Sequence, residues 1–155
     1  MGPSDYYERS GDTNEDGTLV FATERDRRNE KVIAAEIESK WNCEVHHFGR
    51  LCPVDFYVTR HGRIIGVMEC KTRTHPSFRY PTVFFNVRKW LALNMASIGM
   101  GVPAVMVFKF TDQTMWTPVS RANGNVDLGG CSVRVKSDSD REPVFHIPIS
   151  SLKQL

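Results

Sequence analysis

Between Glu69 and Asp112 the chain has no acidic residue, although 18 of its 155 residues are Asp or Glu. Eleven of those acids precede position 45, whereas the acid-free stretch holds Lys71, Arg73, Arg79, Arg88, Lys89 and Lys109. The net charge of +2 hides this separation. A field of one sign attracts anions, phosphate above all, through steering and counterion release; a solvated basic face without a ligand is the alternative. Long apolar runs are also missing. None approaches the roughly 18 to 20 residues that cross a bilayer, and the polar start MGPSDYYERSGDTNEDG lacks the apolar core of a secretory signal. An intracellular protein with no membrane partner is expected. Cys43, Cys52, Cys70 and Cys131 form neither a disulfide framework nor a paired C-x-x-C. Cys43, His46, His47 and Cys52 cluster loosely, at a spacing that does not suit zinc.

Repeats are absent too, and the length fits one domain. Residues 1–20, rich in Gly, Ser, Asp, Asn and Glu, read as a flexible tail, and 21–155 as a single domain. Thr23 is the expected N-cap of a helix to about Lys40, with Ile33, Ile37 and Trp41 on its apolar face and Glu30 one turn before Ile33. Strand-like segments follow at Cys43–Phe48, Val54–Thr59 and Arg63–Lys71, with His61-Gly62 at a reversal. Residues 72–81 read as a loop, in which Phe78 and Tyr80 flank Arg79. Thr82–Phe85 reads as a strand or bridging segment. Asn86 should cap a helix over 87–98, its apolar face Leu91, Met95 and Ile98 and its stop Gly99. Strands are expected at Ala104–Phe110, Met115–Val119, Ser132–Lys136 and Val144–Ile149. The order predicts an α/β (α+β) fold whose mixed central sheet carries an antiparallel hairpin and is flanked by helices.

The hairpin is apolar except for Asp55 near its start and Glu69-Cys70-Lys71 at its end. Unpaired carboxylates are costly on such strands, so something must compensate them. A three-residue loop Arg60-His61-Gly62, with Gly62 left-handed, pairs Thr59 with Arg63 and Asp55 with Val67. Asp55 then lies diagonal to Glu69 on one face, roughly 7 to 8 Å away at the backbone. Two carboxylates so placed suit a hard divalent ion, Mg²⁺ or Mn²⁺, rather than zinc. Lys71 shares the face and could hold an attacking water or neutralise charge on a phosphate. Glu30 could add a third carboxylate if its helix packs across the sheet; Glu36 is its rival. Arg73, Arg88 and Lys89 could clamp phosphate oxygens. A second Glu-x-Lys, Glu38-Ser39-Lys40, lies in the first helix and reads as a solvated face. His61 and His75 read as turn and loop residues.

Asp55 in one strand, a turn, Glu69-Cys70-Lys71 in the next, a preceding helix with Glu30 and a following basic helix resemble the PD-(D/E)XK nuclease superfamily over about residues 24–110. Glu30 with Ile33, Ala34 and Ile37 matches the family's helix pattern; Pro53-Val54-Asp55 departs from its adjacent Pro-Asp. The layout is most like the small phage-type and Holliday-junction-resolvase-like endonucleases. The resemblance implies a restriction-endonuclease-like core with a β-rich addition over 111–155. It implies Asp55, Glu69 and the Cys70 carbonyl as ligands of Mg²⁺ or Mn²⁺, and catalytic roles for Glu30, Asp55, Glu69 and Lys71. Arg73, Arg79, Arg88 and Lys89 would contact nucleic acid. The function so implied is endonucleolytic cleavage of DNA, branched or single-stranded DNA included, in the cytoplasm of a bacterial or phage-infected cell, with a homodimer as a possible form. The rivals are a catalytically silent nucleic-acid-binding module and an RNA-directed nuclease.

Overall fold

A computed structural model of the chain describes residues 24–49, 51–122, 124–129 and 142–155. The expected tail, the Thr23 cap and the strand at 132–136 lie outside them. Helix α1 spans Glu24–Trp41, followed by strands β1 (Glu44–His47), β2 (Phe56–Arg60), β3 (Arg63–Thr72) and β4 (Thr82–Asn86). Helix α2 spans Val87–Met100, and β5 (Ala104–Lys109), β6 (Thr114–Pro118), β7 (Asn125–Gly129), β8 (Glu142–Pro148) and β9 (Lys153–Gln154) complete the order, with short 3₁₀ turns after β6 and β8. The main sheet runs β1-β2-β3-β5-β6-β9 and a smaller one β4-β8-β7. Only β3 and β5 pair in parallel among these strands, through a crossover that contains α2. The mixed α/β architecture is the one expected from the sequence.

The 3.6-residue period of α1 places Ile33 and Ile37 on one line. Both are fully buried against Phe56, Val58, Met68, Cys70 and Val107, which is worth about 1.5–3 kcal/mol for each side chain. Trp41 extends the contact edge-on to Trp116, with ring centroids 5.2 Å apart. The opposite face of the main sheet packs Val67, Met106 and Phe108 against Val83, Phe85, Leu93 and Ile147 from the smaller sheet and α2.

Two expectations are corrected here. Helix α2 runs to Met100 and stops at Gly101, whose φ of 66° is the left-handed conformation glycine adopts freely. Leu91, Met95 and Ile98 do share a face, but it is the outer one, 52%, 71% and 79% exposed. Leu93, Trp90, Ala92 and Ala96 pack inward instead. Apolar periodicity cannot say which of two apolar stripes meets the core.

The hairpin register also differs. His61 and Gly62, with φ of 50° and 72°, form a two-residue turn that pairs Arg60 with Arg63, not a three-residue loop. Carried on without interruption, that register would set Asp55 opposite Met68, on the face covered by α1. Ile65 prevents this. The ladder steps from Thr59–Ile64 to Val58–Gly66, so Ile65 is the extra residue of a bulge, and Phe56 then pairs with Met68. One step further along the same register, Asp55 lies directly across from Glu69 rather than diagonal to it.

Candidate active site

Strand parity decides which side chains meet. Val67, Glu69 and Lys71 point from one face of β3, and Met68 and Cys70 from the other, toward α1. Asp55, just before β2, joins the first group. Its carbonyl accepts the Phe48 amide at 3.0 Å, which ties the approach to β2 to the end of β1.

The Glu69 side chain is fully buried, and neither of its oxygens has a well-aligned hydrogen-bond donor. Two ammonium groups approach them instead: Lys71 Nζ lies 3.0 Å from Oε1, and Lys89 Nζ 3.4 Å from Oε2. Lys89 also donates to Asp55 Oδ1 at 2.8 Å and to the Pro53 carbonyl at 3.1 Å. It therefore spans both carboxylates from α2. Burial pushes Glu69 up to about 7, against the opposing pull of Lys71. Burial raises Asp55 as well, but the adjoining Glu69 carboxyl and the charge of Lys89 outweigh that and hold it below the ordinary range. Burial lowers Lys89, whereas Glu69 and Asp55 raise it further, so it is held charged. Near neutral pH Asp55 is thus the ionised member of the pair and Glu69 the one poised to exchange a proton.

These donors fit a hard divalent ion. Mg²⁺ is bound through one or two carboxylates, with water and substrate phosphate completing its shell, rather than in an all-protein cage. Asp55 and Glu69 supply such a pair, and the poorly satisfied Glu69 oxygens are the unusual feature a cation would resolve. Among the described residues, no three His, Cys, Asp or Glu side chains converge on one point. Glu30 is accordingly not assembled with Asp55 and Glu69. It is half-buried on the α1 side, where burial first, then the charges of Glu69 and Asp55, and last that of Glu30 push up the Cys70 thiol. Glu36 is engaged elsewhere, accepting from Lys109 Nζ and Thr114 Oγ1, both at 2.9 Å.

The basic residues divide as well. Arg73 lies over the Phe84 ring, with Cζ 4.8 Å from its centroid, and donates to the Phe84 carbonyl at 2.8 Å. Burial lowers its pKa to about 10, so the guanidinium braces β4 as well as adding charge. Arg88 is exposed, 3.5 Å from Glu142, and Arg79 is exposed beside Tyr80. The bridging position of Lys89 was not legible in the sequence, because 34 residues separate it from Asp55 and no local spacing encodes that contact.

Residues 18–155 match the model of a family described as "Phage putative PDDEXK endonuclease". The chain belongs to that family. The PD-(D/E)XK resemblance carried by Asp55 and Glu69-Cys70-Lys71 is thereby upheld, and the protein is a nuclease by membership. The endonuclease is also similar in structure to Hjc, a Holliday junction resolvase of Archaeoglobus fulgidus. The two share 16% identity at a TM-score of 0.55, over 82% of this chain and 86% of that one. At that identity the likeness concerns the fold. No curated protein matches the sequence. Among the described residues no helix is long and apolar enough to cross a membrane.

Proposed function

We propose that this endonuclease hydrolyses phosphodiester bonds in DNA with Mg²⁺ or Mn²⁺ held by Asp55 and Glu69, and that branched or partly single-stranded DNA is its preferred substrate. The single observation that carries the metal reading is the fully buried Glu69 carboxylate, its oxygens poorly satisfied and facing Asp55. When bound, a divalent ion would lower the pKa of a water and offset charge on the phosphate. Lys71, held by Glu69, donates a hydrogen bond to the attacking water and so orients it. Lys89 is released from the two carboxylates to a non-bridging phosphate oxygen. Glu30 contributes its charge from the α1 side, beside Cys70 and apart from the two carboxylates, and the Cys70 carbonyl would be a further ligand. Arg79 and Arg88 contact neighbouring phosphates, while Arg73 holds the backbone that leads to them.

The preference for branched DNA draws on the fold shared with a junction resolvase. Residues 21–155 act as one nuclease domain in the cytoplasm of a bacterial or phage-infected cell. A homodimer is supported by the outer face of α2, where Leu91, Met95 and Ile98 are exposed and residues 90–100 include no charge. The deciding experiment takes a preparation whose mass is read by sedimentation and incubates it with single-stranded, duplex, flapped and four-way DNA and with RNA. Each is tested with Mg²⁺, Mn²⁺ or EDTA. Metal-dependent cutting of DNA, strongest on flapped or four-way forms, is expected. Binding without cutting in either metal would leave the silent module, and cutting confined to RNA would leave the RNA-directed nuclease.

A further inference from the structure

The segment after β3 leaves the sheet at the edge where Lys71 lies. It follows the end of β5, with the Arg73 amide donating to the Lys109 carbonyl at 2.8 Å and the Thr111 amide to the His75 carbonyl at 3.2 Å. It then makes a tight turn in which the Arg79 amide bonds the Pro76 carbonyl at 3.1 Å. The two central residues of this turn are treated oppositely. Ser77 is buried and fastened: its amide and hydroxyl both donate to the Asp112 carboxylate at 2.7 Å, and Gln113 Nε2 donates to its Oγ at 2.8 Å. Phe78, the next residue, is 82% exposed.

Tyr80 is braced from behind. Its ring meets His75 edge-on at 5.0 Å, His75 rests on the buried Phe110 at 5.8 Å, and Arg79 Cζ lies 5.8 Å from the Tyr80 centroid. Phe110 comes from the core and the Ser77 fastening from the β5–β6 turn, whereas His75 and Arg79 belong to the segment itself; the stretch from Cys70 to Thr111 contains no acid. An apolar ring held in water on a fastened turn gains nothing inside the protein. Its seven-residue distance from Lys71 limits it to about 25 Å from Lys71 at the backbone, or about seven base-pair rises of DNA.

We propose that Phe78, with Tyr80 beside it, is a stacking platform for an unpaired base of the DNA substrate, and that Asp112 is the positioning residue that holds it ready. Aromatic rings accept any base by its face, and a paired, stacked base cannot offer that face. A preformed platform also avoids the ordering cost a mobile loop would carry. The platform thus selects DNA in which a base is already free, while the surrounding cations bind duplex phosphates without distinction. This inference rests on DNA being the substrate, and it specifies how the preference is read.

Binding of the full chain in EDTA tests it without any cleavage. Two duplexes are compared, one fully paired and one carrying a single unpaired 2-aminopurine, whose fluorescence falls when a ring stacks on it. The native protein should prefer the second and quench it. Phe78→Ala should lose about 5- to 150-fold in affinity for that duplex, the range given by one stacked base, and should lose the quenching. Its affinity for the paired duplex and its melting temperature should stay the same. Phe78→Trp should retain both preference and quenching, and Asp112→Ala should weaken the preference with Phe78 still present. Equal affinity and equal quenching for Phe78→Ala and the native protein, with DNA binding intact, overturn the platform while leaving the nuclease reading in place. Absence of any DNA binding overturns both.

Discussion

The two faces of β3 are made from alternating residues of one strand, yet they have almost nothing in common. Met68 and Cys70 point into the layer under α1, where they pack among the buried apolar side chains Ile33, Ile37, Phe56, Val58 and Val107 and shape is what matters. Glu69 and Lys71 point the other way, into a cluster of four charges contributed by β3, α2 and the approach to β2. Adjacent backbone atoms therefore serve a packing problem and an electrostatic one. Parity is the only partition between them, so stability and chemistry should be separable by single substitutions.

The largest expected difference is in turnover. Asp55→Ala should reduce metal-dependent cleavage by at least about 10³-fold, with only a modest fall in melting temperature from the lost ion pair with Lys89. Met68→Ala, on the other face, should cost about 2–5 kcal/mol in urea unfolding and leave the cleavage rate of the folded fraction within a few-fold. If the two variants exchanged phenotypes, the division of β3 into a chemical and a packing face would be wrong.

A smaller effect should appear with pH. Glu69 is held up to about 7 by burial, from an ordinary value of 4.5. Between those values the unfolded chain releases its proton while the folded chain keeps it, so stability falls as pH rises through this window. Glu69→Gln has no such proton to release. Relative to that variant, the native protein should lose up to about 3 kcal/mol between pH 5 and pH 8 without metal, read by urea melts at both values. Parallel melts at the two pH values would contradict the raised carboxyl.

The smallest effect concerns α1. Glu36→Gln removes a half-exposed pair with Lys109 and should cost only about 1 kcal/mol, with cleavage unchanged. Glu30→Gln should instead slow cleavage with little loss of stability. Kinetics on the two variants, normalised to folded protein, separate the rival helix carboxylates, and the reverse ranking would move the role to Glu36.

The sequence made some of this legible and hid the rest for identifiable reasons. Strand alternation was enough to put Glu69 and Lys71 on one face, but Asp55 joins them through a two-residue turn and the Ile65 bulge rather than through the expected three-residue loop. The α1 core positions Ile33 and Ile37 were legible for the same reason at period 3.6. The turn length was not, because His61 adopts φ of 50°, a conformation uncommon for a residue other than glycine, and so allows a tighter reversal than its identity suggests. Helix α2 misled because it is apolar on both sides, and tertiary neighbours orient it, among them Phe145 and Val119, which meet Trp90, and the core around Leu93. The separate sheet β4-β8-β7 joins residues about 60 apart in sequence, beyond what any local pattern encodes. The Ser77–Asp112 fastening is of the same kind.

The bulge at Ile65 leaves the hairpin with slack. Five steps of chain separate Arg60 from Asp55 and six separate Arg63 from Glu69, and the surplus residue is taken up where neither arm needs it. Losing that one residue would make the arms equal and keep the two carboxylates opposite each other. Losing one residue between Gly66 and Glu69 would turn Glu69 toward α1. The hairpin can therefore vary in length at Ile65 without consequence for the chemistry, whereas the same change two or three residues later would turn Glu69 away from Asp55 and be fatal to the enzyme.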